Sequence, residues 1–215
     1  MDQDYKKELL EILYVKSFKH DPEHGFTLTS GKKSDIYIDA KKTALTATAM
    51  ELIGFAFFQL LKMEPVDAVG GMTLGADPIA YSTALISTMH GKYIDAFVIR
   101  KEPKKHGTQQ WIEGSLPPDA WVIIMDDVVT TGGSAIEAVK RAREAGYKVR
   151  RVFALVDREE GGAENIERET GCKFTSLFTR ADLMEVHERH MKEKEKEEGK
   201  GQQAPALPID DKADF

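Results

Sequence analysis

Along residues 66–178, two hydrophobic patterns alternate regularly, and this alternation leaves few folds open to the chain. Short apolar runs, typical of strands buried on both faces, are each followed by a segment with helical periodicity. The predicted strands are 66–71, 93–100, 121–126, 148–157 and 173–178, and the predicted helices between them are 76–90, 134–145 and 163–170. Such alternation indicates repeated strand–helix–strand units. The sequence therefore predicts an α/β fold with a mainly parallel, doubly wound sheet flanked by helices.

The segments outside this region have other patterns. Residues 3–14 have the periodicity of an amphipathic helix, and residues 26–40 have β-rich ends around a Ser-Gly-Lys-Lys-Ser turn, which indicates a hairpin. A further helix is predicted over 44–62. Near its C-terminus the chain becomes charged and then rich in Pro, Gly and Gln, so we expect a flexible tail over 193–215 after a single domain of residues 1–192.

Composition and charge argue against several classes of protein. The net charge of −6 over 215 residues argues against sequence-independent binding of nucleic acid. The single cysteine, Cys172, can form no intrachain disulfide and has no CxxC partner. The first residues lack the layout of a secretory signal, and the most apolar helical stretch, 50–63, is too short to cross a bilayer. We therefore expect a cytoplasmic protein that binds neither nucleic acid nor membrane.

Residues 122–134 read VIIMDDVVTTGGS and combine three features of a ligand site. The apolar run predicts a buried strand, and Asp126 and Asp127 are compatible with it only at its end, where side chains enter a crevice. The small residues that follow allow backbone N–H groups to surround a phosphate at a helix N-terminus. The carboxylates themselves suit ribose hydroxyls or a developing positive charge. The alternative is an ordinary helix cap with a glycine turn; the Walker pattern GxxxxGK[ST] is absent.

Two further stretches could bind a diphosphate. Positive charge is concentrated after the second predicted strand, in Arg100, Lys101, Lys104, Lys105 and His106. Cations there would neutralise a diphosphate, although a solvated basic loop is the alternative. Residues 69–77, VGGMTLGAD, have glycines that would let backbone amides approach an anion, or that simply form a tight turn.

Four segments together resemble orotate phosphoribosyltransferases, a family of type I phosphoribosyltransferases. They are VIIMDDVVTTGGS, FTLTSGKKSDIYIDA at 26–40, VIRKEPKKHGTQQWIEG at 98–114 and DREEGG at 157–162. They occur in the order found in the family and cover the chain from about Phe26 to Gly162. The resemblance implies the type I fold, with a small N-terminal hood mainly over 1–43 and a core over 44–192.

The resemblance also implies roles for individual residues. It assigns the ribose and its 5-phosphate to Asp126, Asp127, Thr130, Thr131, Gly132, Gly133 and Ser134. It assigns the diphosphate to Gly75, Arg100, Lys101, Lys104 and His106, with Lys104 joining Asp126 and Asp127 as catalytic residues. It assigns orotate to Tyr37, Thr130 and Arg158. The sequence departs from some relatives at Thr29 and Gly75, where those relatives have lysine.

Two of these residues have ordinary alternatives when they are considered by themselves. Arg158 could recognise the orotate carboxylate through its planar guanidinium, or it could be a surface arginine paired with Glu159 or Glu160. Tyr37 could face the base, although an aromatic residue on a strand more often belongs to the core.

The reaction implied is orotate plus 5-phosphoribosyl 1-diphosphate giving orotidine 5′-phosphate and diphosphate, in UMP biosynthesis. The resemblance implies a Mg²⁺ ion held mainly by the substrate, and a homodimer in which the basic loop serves as a lid over the partner's site. Alternatives are a transferase acting on a purine base, and a regulator that senses phosphoribosyl diphosphate. The hood and the Asp157-Arg158 pair favour orotate.

Overall fold

The computed structural model describes residues 4–27, 33–103 and 111–201, with side chains described up to residue 198. The elements in chain order are α1 (Asp4–Ser17), β1 (Phe18–His20), β2 (Phe26–Thr27), β3 (Lys33–Ser34), β4 (Ile36–Ile38), α2 (Lys41–Ala44), α3 (Ala47–Leu61), β5 (Ala68–Met72), α4 (Asp77–Met89), β6 (Asp95–Ile99), β7 (Ile112–Glu113), β8 (Trp121–Val129), α5 (Gly133–Glu144), β9 (Lys148–Asp157), α6 (Gly162–Thr170), β10 (Lys173–Thr179) and α7 (Arg180–Gly201).

The central sheet has six strands in the order β10-β9-β8-β5-β6-β7, and every neighbouring pair is parallel except β6 with β7. This confirms the predicted α/β class. The chain leaves β5 toward one edge of the sheet and later returns to build the other edge from β8. The connections after β5 and β8 therefore diverge, which opens a crevice at the carboxyl ends of these two strands.

The two faces of β8 contribute to two separate hydrophobic clusters. Ile123 and Met125 pack in a cluster with residues of α1, α3, α4 and α7. Val122 and Ile124 pack in a second cluster with residues of α5 and α6. Because successive side chains of a strand point to opposite faces, a strand covered by helices on both sides must be apolar throughout. This requirement explains the uninterrupted apolar run from which the strand was predicted.

A small antiparallel region covers the carboxyl end of the sheet. The hairpin β2–β3 is present as predicted, whereas the pairing of β1 with β4 was not anticipated. α1 packs beneath this region through Leu9 and Leu13, which are fully buried. Among the described residues, none of the helices is both long and apolar enough to cross a membrane.

Three predicted element boundaries were wrong. The helix predicted over 44–62 is interrupted, because Thr46 is extended (φ −97°, ψ 141°) and its hydroxyl donates to the Thr43 carbonyl. The predicted loop between β6 and β8 contains the short strand β7. Most importantly for the site, β8 does not end at Asp126 but continues to Val129 beside β9.

Candidate functional site

A cavity of about 720 Å³ lies at the carboxyl end of β8, beneath the hairpin and β4. Its lining residues are Thr27, Tyr37, Ile38, Asp39, Lys41, Asp126, Asp127, Val128, Val129, Thr130, Thr131, Gly132, Gly133, Ser134 and Arg158. They come from β2, β4, α2, β8, the start of α5 and the end of β9. The sheet and its antiparallel cover thus bring together segments that are up to 131 residues apart in the sequence (Thr27 to Arg158).

The acidic pair lies in the second half of β8. Asp126 is buried, with 7% of its surface exposed, and its Oδ1 accepts a hydrogen bond from the Asp127 backbone N–H at 2.9 Å. Asp127 Oδ1 in turn accepts from the Val128 N–H at 3.0 Å. Burial, together with the adjacent charge of Asp127, raises the pKa of Asp126 to about 8. The pair therefore carries less than two negative charges at neutral pH.

This pKa predicts how stability depends on pH. Between 3.8, the ordinary value, and about 8, the folded protein keeps a proton on Asp126 that the unfolded chain has released. The contribution of Asp126 to the free energy of unfolding is therefore complete below this range and is lost as the pH rises through it. We expect Asp126→Asn to raise the free energy of unfolding relative to wild type, by an increment that grows to a few kcal/mol between pH 5 and pH 8.

Urea unfolding at several pH values measures this increment. Asp95→Asn, at an exposed position of β6, is the matched control for the loss of a surface carboxylate. An Asp126→Asn increment that does not change between pH 5 and pH 8, or that changes no more than that of Asp95→Asn, would contradict the assignment of a raised pKa to Asp126.

The loop after β8 has the features of an anion site. Gly132 has φ of +82°, and a Cβ at that position would lie 2.9 Å from the Gly162 carbonyl oxygen, so glycine is required. Helix α5 begins at Gly133 and runs for 12 residues, so its N-terminal N–H groups face the cavity end that Thr130–Ser134 line. A helix N-terminus reached through small residues favours a phosphate group.

Arg158 also lines the cavity and is buried, with 5% of its surface exposed. Its Nη2 donates to Ser34 Oγ at 3.0 Å and to the Ile36 carbonyl at 3.3 Å, and lies 2.9 Å from Glu160 Oε1. Its Nε is buried and has no hydrogen-bond partner within the described parts of the chain. Arg158 is therefore not a surface residue, and it holds a donor that is costly to leave unpaired.

Tyr37 also belongs to the cavity rather than to the core. It is 37% exposed, and its ring packs against Phe26 with centroids 5.6 Å apart. β4 alternates, with Ile36 and Ile38 buried on the other face, so strand geometry turns Tyr37 toward the cavity. Tyr37 and Arg158 thus line the same end of the site.

Lys41 is a cation of the cavity that no sequence pattern predicted. Its Nζ lies 3.3 Å from Asp127 Oδ2 and 3.2 Å from Asp39 Oδ1. In the sequence Lys41 is one of two adjacent lysines after a strand, which is typical of a solvated turn. Only the register of β4 and the start of α2 reveal that the first lysine, and not the second, faces the acidic pair.

Several predicted residues lie outside this cavity or outside the described residues. Arg100 forms an ion pair with Glu113 across β6 and β7 at 3.2 Å, and Lys101 is exposed. Gly75 is not among the lining residues but packs against the acidic pair, because a Cβ there would lie 2.5 Å from Asp127 Oδ1. Lys104 and His106 fall outside the described residues, so their predicted roles remain predictions.

Known proteins resemble the chain over most of its length. An orotate phosphoribosyltransferase of Aquifex aeolicus is 48% identical over 179 residues, which is 83% of this chain and 97% of that protein. A Nostoc orotate phosphoribosyltransferase is 42% identical over 85% of this chain and 87% of that protein. The Mycobacterium tuberculosis H37Rv enzyme, solved with 5-phospho-α-D-ribosyl 1-diphosphate, has a TM-score of 0.68 and 36% identity, covering 83% of this chain and 98% of that one. No family model matches the chain.

The doubly wound sheet, the acidic pair at the end of its central strand and the small loop before α5 define a type I phosphoribosyltransferase. The relatives identify the family within this class, because they match most of the chain and all three are named orotate phosphoribosyltransferase. The chain belongs to the orotate phosphoribosyltransferase family.

Proposed function

We propose that this chain transfers the ribose 5-phosphate group of phosphoribosyl diphosphate to orotate, giving orotidine 5′-phosphate and diphosphate for UMP synthesis in the cytoplasm. One observation carries the proposal. A single cavity joins an anion site at the start of α5, an acidic pair, and a buried arginine with an unpaired donor. These three parts match the phosphate, the ribose and the orotate carboxylate of the product nucleotide.

The chemistry follows from the charges in the cavity. Thr130–Ser134 and the N-terminus of α5 bind the 5-phosphate and fix one end of the substrate. Asp126 and Asp127 form hydrogen bonds with the ribose hydroxyls, and the negative charge that the pair retains stabilises the positive charge that builds on the ring as the C1′–O bond breaks. Arg158 and Tyr37 orient orotate so that its ring nitrogen attacks the opposite face of C1′, with inversion.

Specificity for orotate is assigned to Arg158. A guanidinium binds a carboxylate through two parallel hydrogen bonds, which uracil cannot accept because it lacks that group. Nε is unpaired among the described residues, and the Ser34, Ile36 and Glu160 contacts hold the guanidinium in place. Preorganised in this way, the side chain loses little conformational freedom when orotate binds.

A Mg²⁺ ion belongs to the proposal. The described residues contain no group of three or more His, Cys, Asp or Glu side chains suited to a metal ion. Mg²⁺ typically uses one or two carboxylates together with substrate phosphates and water, so Asp126 and Asp127 with a bound diphosphate are a fitting set. When bound, the ion would neutralise the leaving diphosphate. The resemblance of the basic stretch assigns the same task to Arg100, Lys101, Lys104 and His106.

Loss of orotate absorbance tests the reaction, with phosphoribosyl diphosphate and Mg²⁺ present and with adenine, hypoxanthine and uracil run in parallel. We expect turnover of orotate alone. Turnover of a purine base would instead identify a purine transferase. Tight binding of phosphoribosyl diphosphate without turnover of any base would favour a sensor.

The proposal includes a homodimer, and α4 offers a face for it. Tyr81, Leu85 and Met89 are 47%, 64% and 71% exposed and are spaced four residues apart, so they form one apolar stripe along the helix. Apolar residues that recur on one exposed helix face are typical of an interface. We assign this stripe to the contact with a second copy of the chain.

We expect Leu85→Glu to convert the dimer to a monomer, because a charge placed in an apolar interface has no partner there. Val15→Glu is the matched control, since Val15 is also exposed (69%) but lies on α1. Light scattering coupled to size-exclusion chromatography gives the mass. Equal masses for Leu85→Glu and wild type would contradict the assignment of the α4 stripe as the dimer interface.

A further inference from the structure

Lys41 is the first residue of α2 and follows β4 by only two residues. Its ammonium group bridges two carboxylates, at 3.3 Å from Asp127 Oδ2 and 3.2 Å from Asp39 Oδ1. The contact with Asp127 is a hydrogen bond. The contact with Asp39 is an ion pair without hydrogen-bond alignment, so the buried Asp39 Oδ1 has no hydrogen-bond partner in the described parts of the chain. All three side chains line the cavity.

The charges of the cavity explain why a cation is needed at this point. Asp39, Asp126 and Asp127 form the acidic end of the cavity, and Arg158, which also lines the cavity, is paired with Glu160. The negative charge of this acidic end would repel a substrate that carries a phosphate and a diphosphate. Lys41 is the basic side chain at the acidic end among the described lining residues. Burial disfavours its charged form, but Asp127 and Asp39 outweigh burial and raise the pKa of Lys41, so it stays positive.

Lys41 also fixes the orientation of Asp127. Oδ1 of Asp127 accepts from the Val128 N–H and faces Gly75, where even a Cβ would approach to 2.5 Å. Oδ2 faces Lys41. The carboxylate is therefore held between a glycine that leaves room for it and an ammonium group that attracts it. Without Lys41, Asp127 would keep the Val128 N–H contact at Oδ1 but lose the attraction at Oδ2, and the carboxylate of Asp39 would repel it.

We propose that Lys41 is a positioning residue for phosphoribosyl diphosphate: it holds the Asp127 carboxylate in its ribose-binding orientation and offsets the negative charge at the acidic end of the cavity. This inference rests on the proposed function and deepens it. Lys41 acts on the half of the site that takes the ribose and its phosphates. Orotate is assigned to Arg158 and Tyr37, whereas Lys41 contacts Asp39 and Asp127, so orotate binding is not expected to depend on Lys41.

Three variants separate this role from a merely structural link between β4 and β8. Lys41→Met keeps the length of the side chain and removes the charge. Lys41→Arg keeps the charge. Lys42→Met removes a charge from the next residue, which is exposed, and serves as the matched control. For each variant, the KM values for phosphoribosyl diphosphate and for orotate are measured separately, and calorimetry gives the Kd of phosphoribosyl diphosphate with Mg²⁺.

For Lys41→Met, we expect the KM and the Kd for phosphoribosyl diphosphate to rise about tenfold or more, while the KM for orotate stays within about twofold. Lys41→Arg should recover most of the loss, and Lys42→Met should behave as wild type. The inference is overturned if Lys41→Met matches Lys42→Met, if the KM for orotate rises equally, or if Lys41→Arg is as impaired as Lys41→Met. Thermal unfolding checks that all variants are folded.

The calorimetric Kd values distinguish failure of the Lys41 inference from failure of the proposed function. If wild type binds phosphoribosyl diphosphate but turns over no orotate, the proposed reaction fails, and the Kd values of the variants still decide the role of Lys41. If wild type binds no phosphoribosyl diphosphate, both the reaction and the role of Lys41 are overturned.

Discussion

Replacing Arg158 with glutamine is expected to raise the KM for orotate by about 30-fold or more, because losing one partner of a buried, hydrogen-bonded charge pair costs roughly 2–5 kcal/mol. The KM for phosphoribosyl diphosphate should change little, since that substrate is assigned to the acidic pair and the Thr130–Ser134 loop rather than to Arg158. Steady-state kinetics with each substrate varied in turn measures both constants.

The conservative variant Arg158→Lys sharpens this test. Lysine keeps the charge but cannot present two parallel N–H groups, so we expect a KM between those of wild type and Arg158→Gln. Arg168→Gln, at an exposed position of α6, is the matched control and should have no effect. Full activity of Arg158→Lys would mean that charge alone recognises orotate. An unchanged KM in Arg158→Gln would remove Arg158 from the site.

Replacing Asp127 with asparagine is expected to lower kcat by about 100- to 1,000-fold, a loss comparable to that of one preorganised electrostatic group. Asparagine has nearly the same shape, and its Oδ1 can still accept from the Val128 N–H. What disappears is the negative charge beside the ribose ring, which acts mainly on the transition state. The KM values should therefore change less than kcat.

Asp95→Asn on β6 again supplies the exposed control, and thermal unfolding checks that Asp127→Asn retains its fold. A variant with normal kcat and a raised KM for phosphoribosyl diphosphate would contradict this assignment, because Asp127 would then contribute to ground-state binding alone.

The strands of the sheet could be predicted because burial on both faces leaves a clear signature. The central run of β8 is apolar throughout, and the six-stranded sheet confirms the class predicted from it. The residue at which β8 ends could not be predicted from this signature. Two acids normally terminate a buried strand, but the hydrogen bond from the Asp127 N–H to Asp126 Oδ1 satisfies one carboxylate locally, and pairing with β9 continues to Val129.

The residues that the sequence did not reveal depend on long-range packing. Lys41 is separated from Asp127 by 86 positions, and no local pattern distinguishes it from Lys42. The burial of Arg158 depends on contacts with Ser34 and Ile36, more than 120 positions earlier. Such contacts follow from the placement of β4 over the sheet. This placement cannot be predicted from single segments of the sequence.

The most direct test of the proposed site is a crystal structure of the protein with orotidine 5′-phosphate. We expect the base carboxylate to lie on the Arg158 guanidinium, the ribose hydroxyls on Asp126 and Asp127, and the phosphate on the Thr130–Ser134 loop at the start of α5. A nucleotide bound with its phosphate elsewhere, or with its carboxylate away from Arg158, would contradict the assignment of this cavity as the site of transfer.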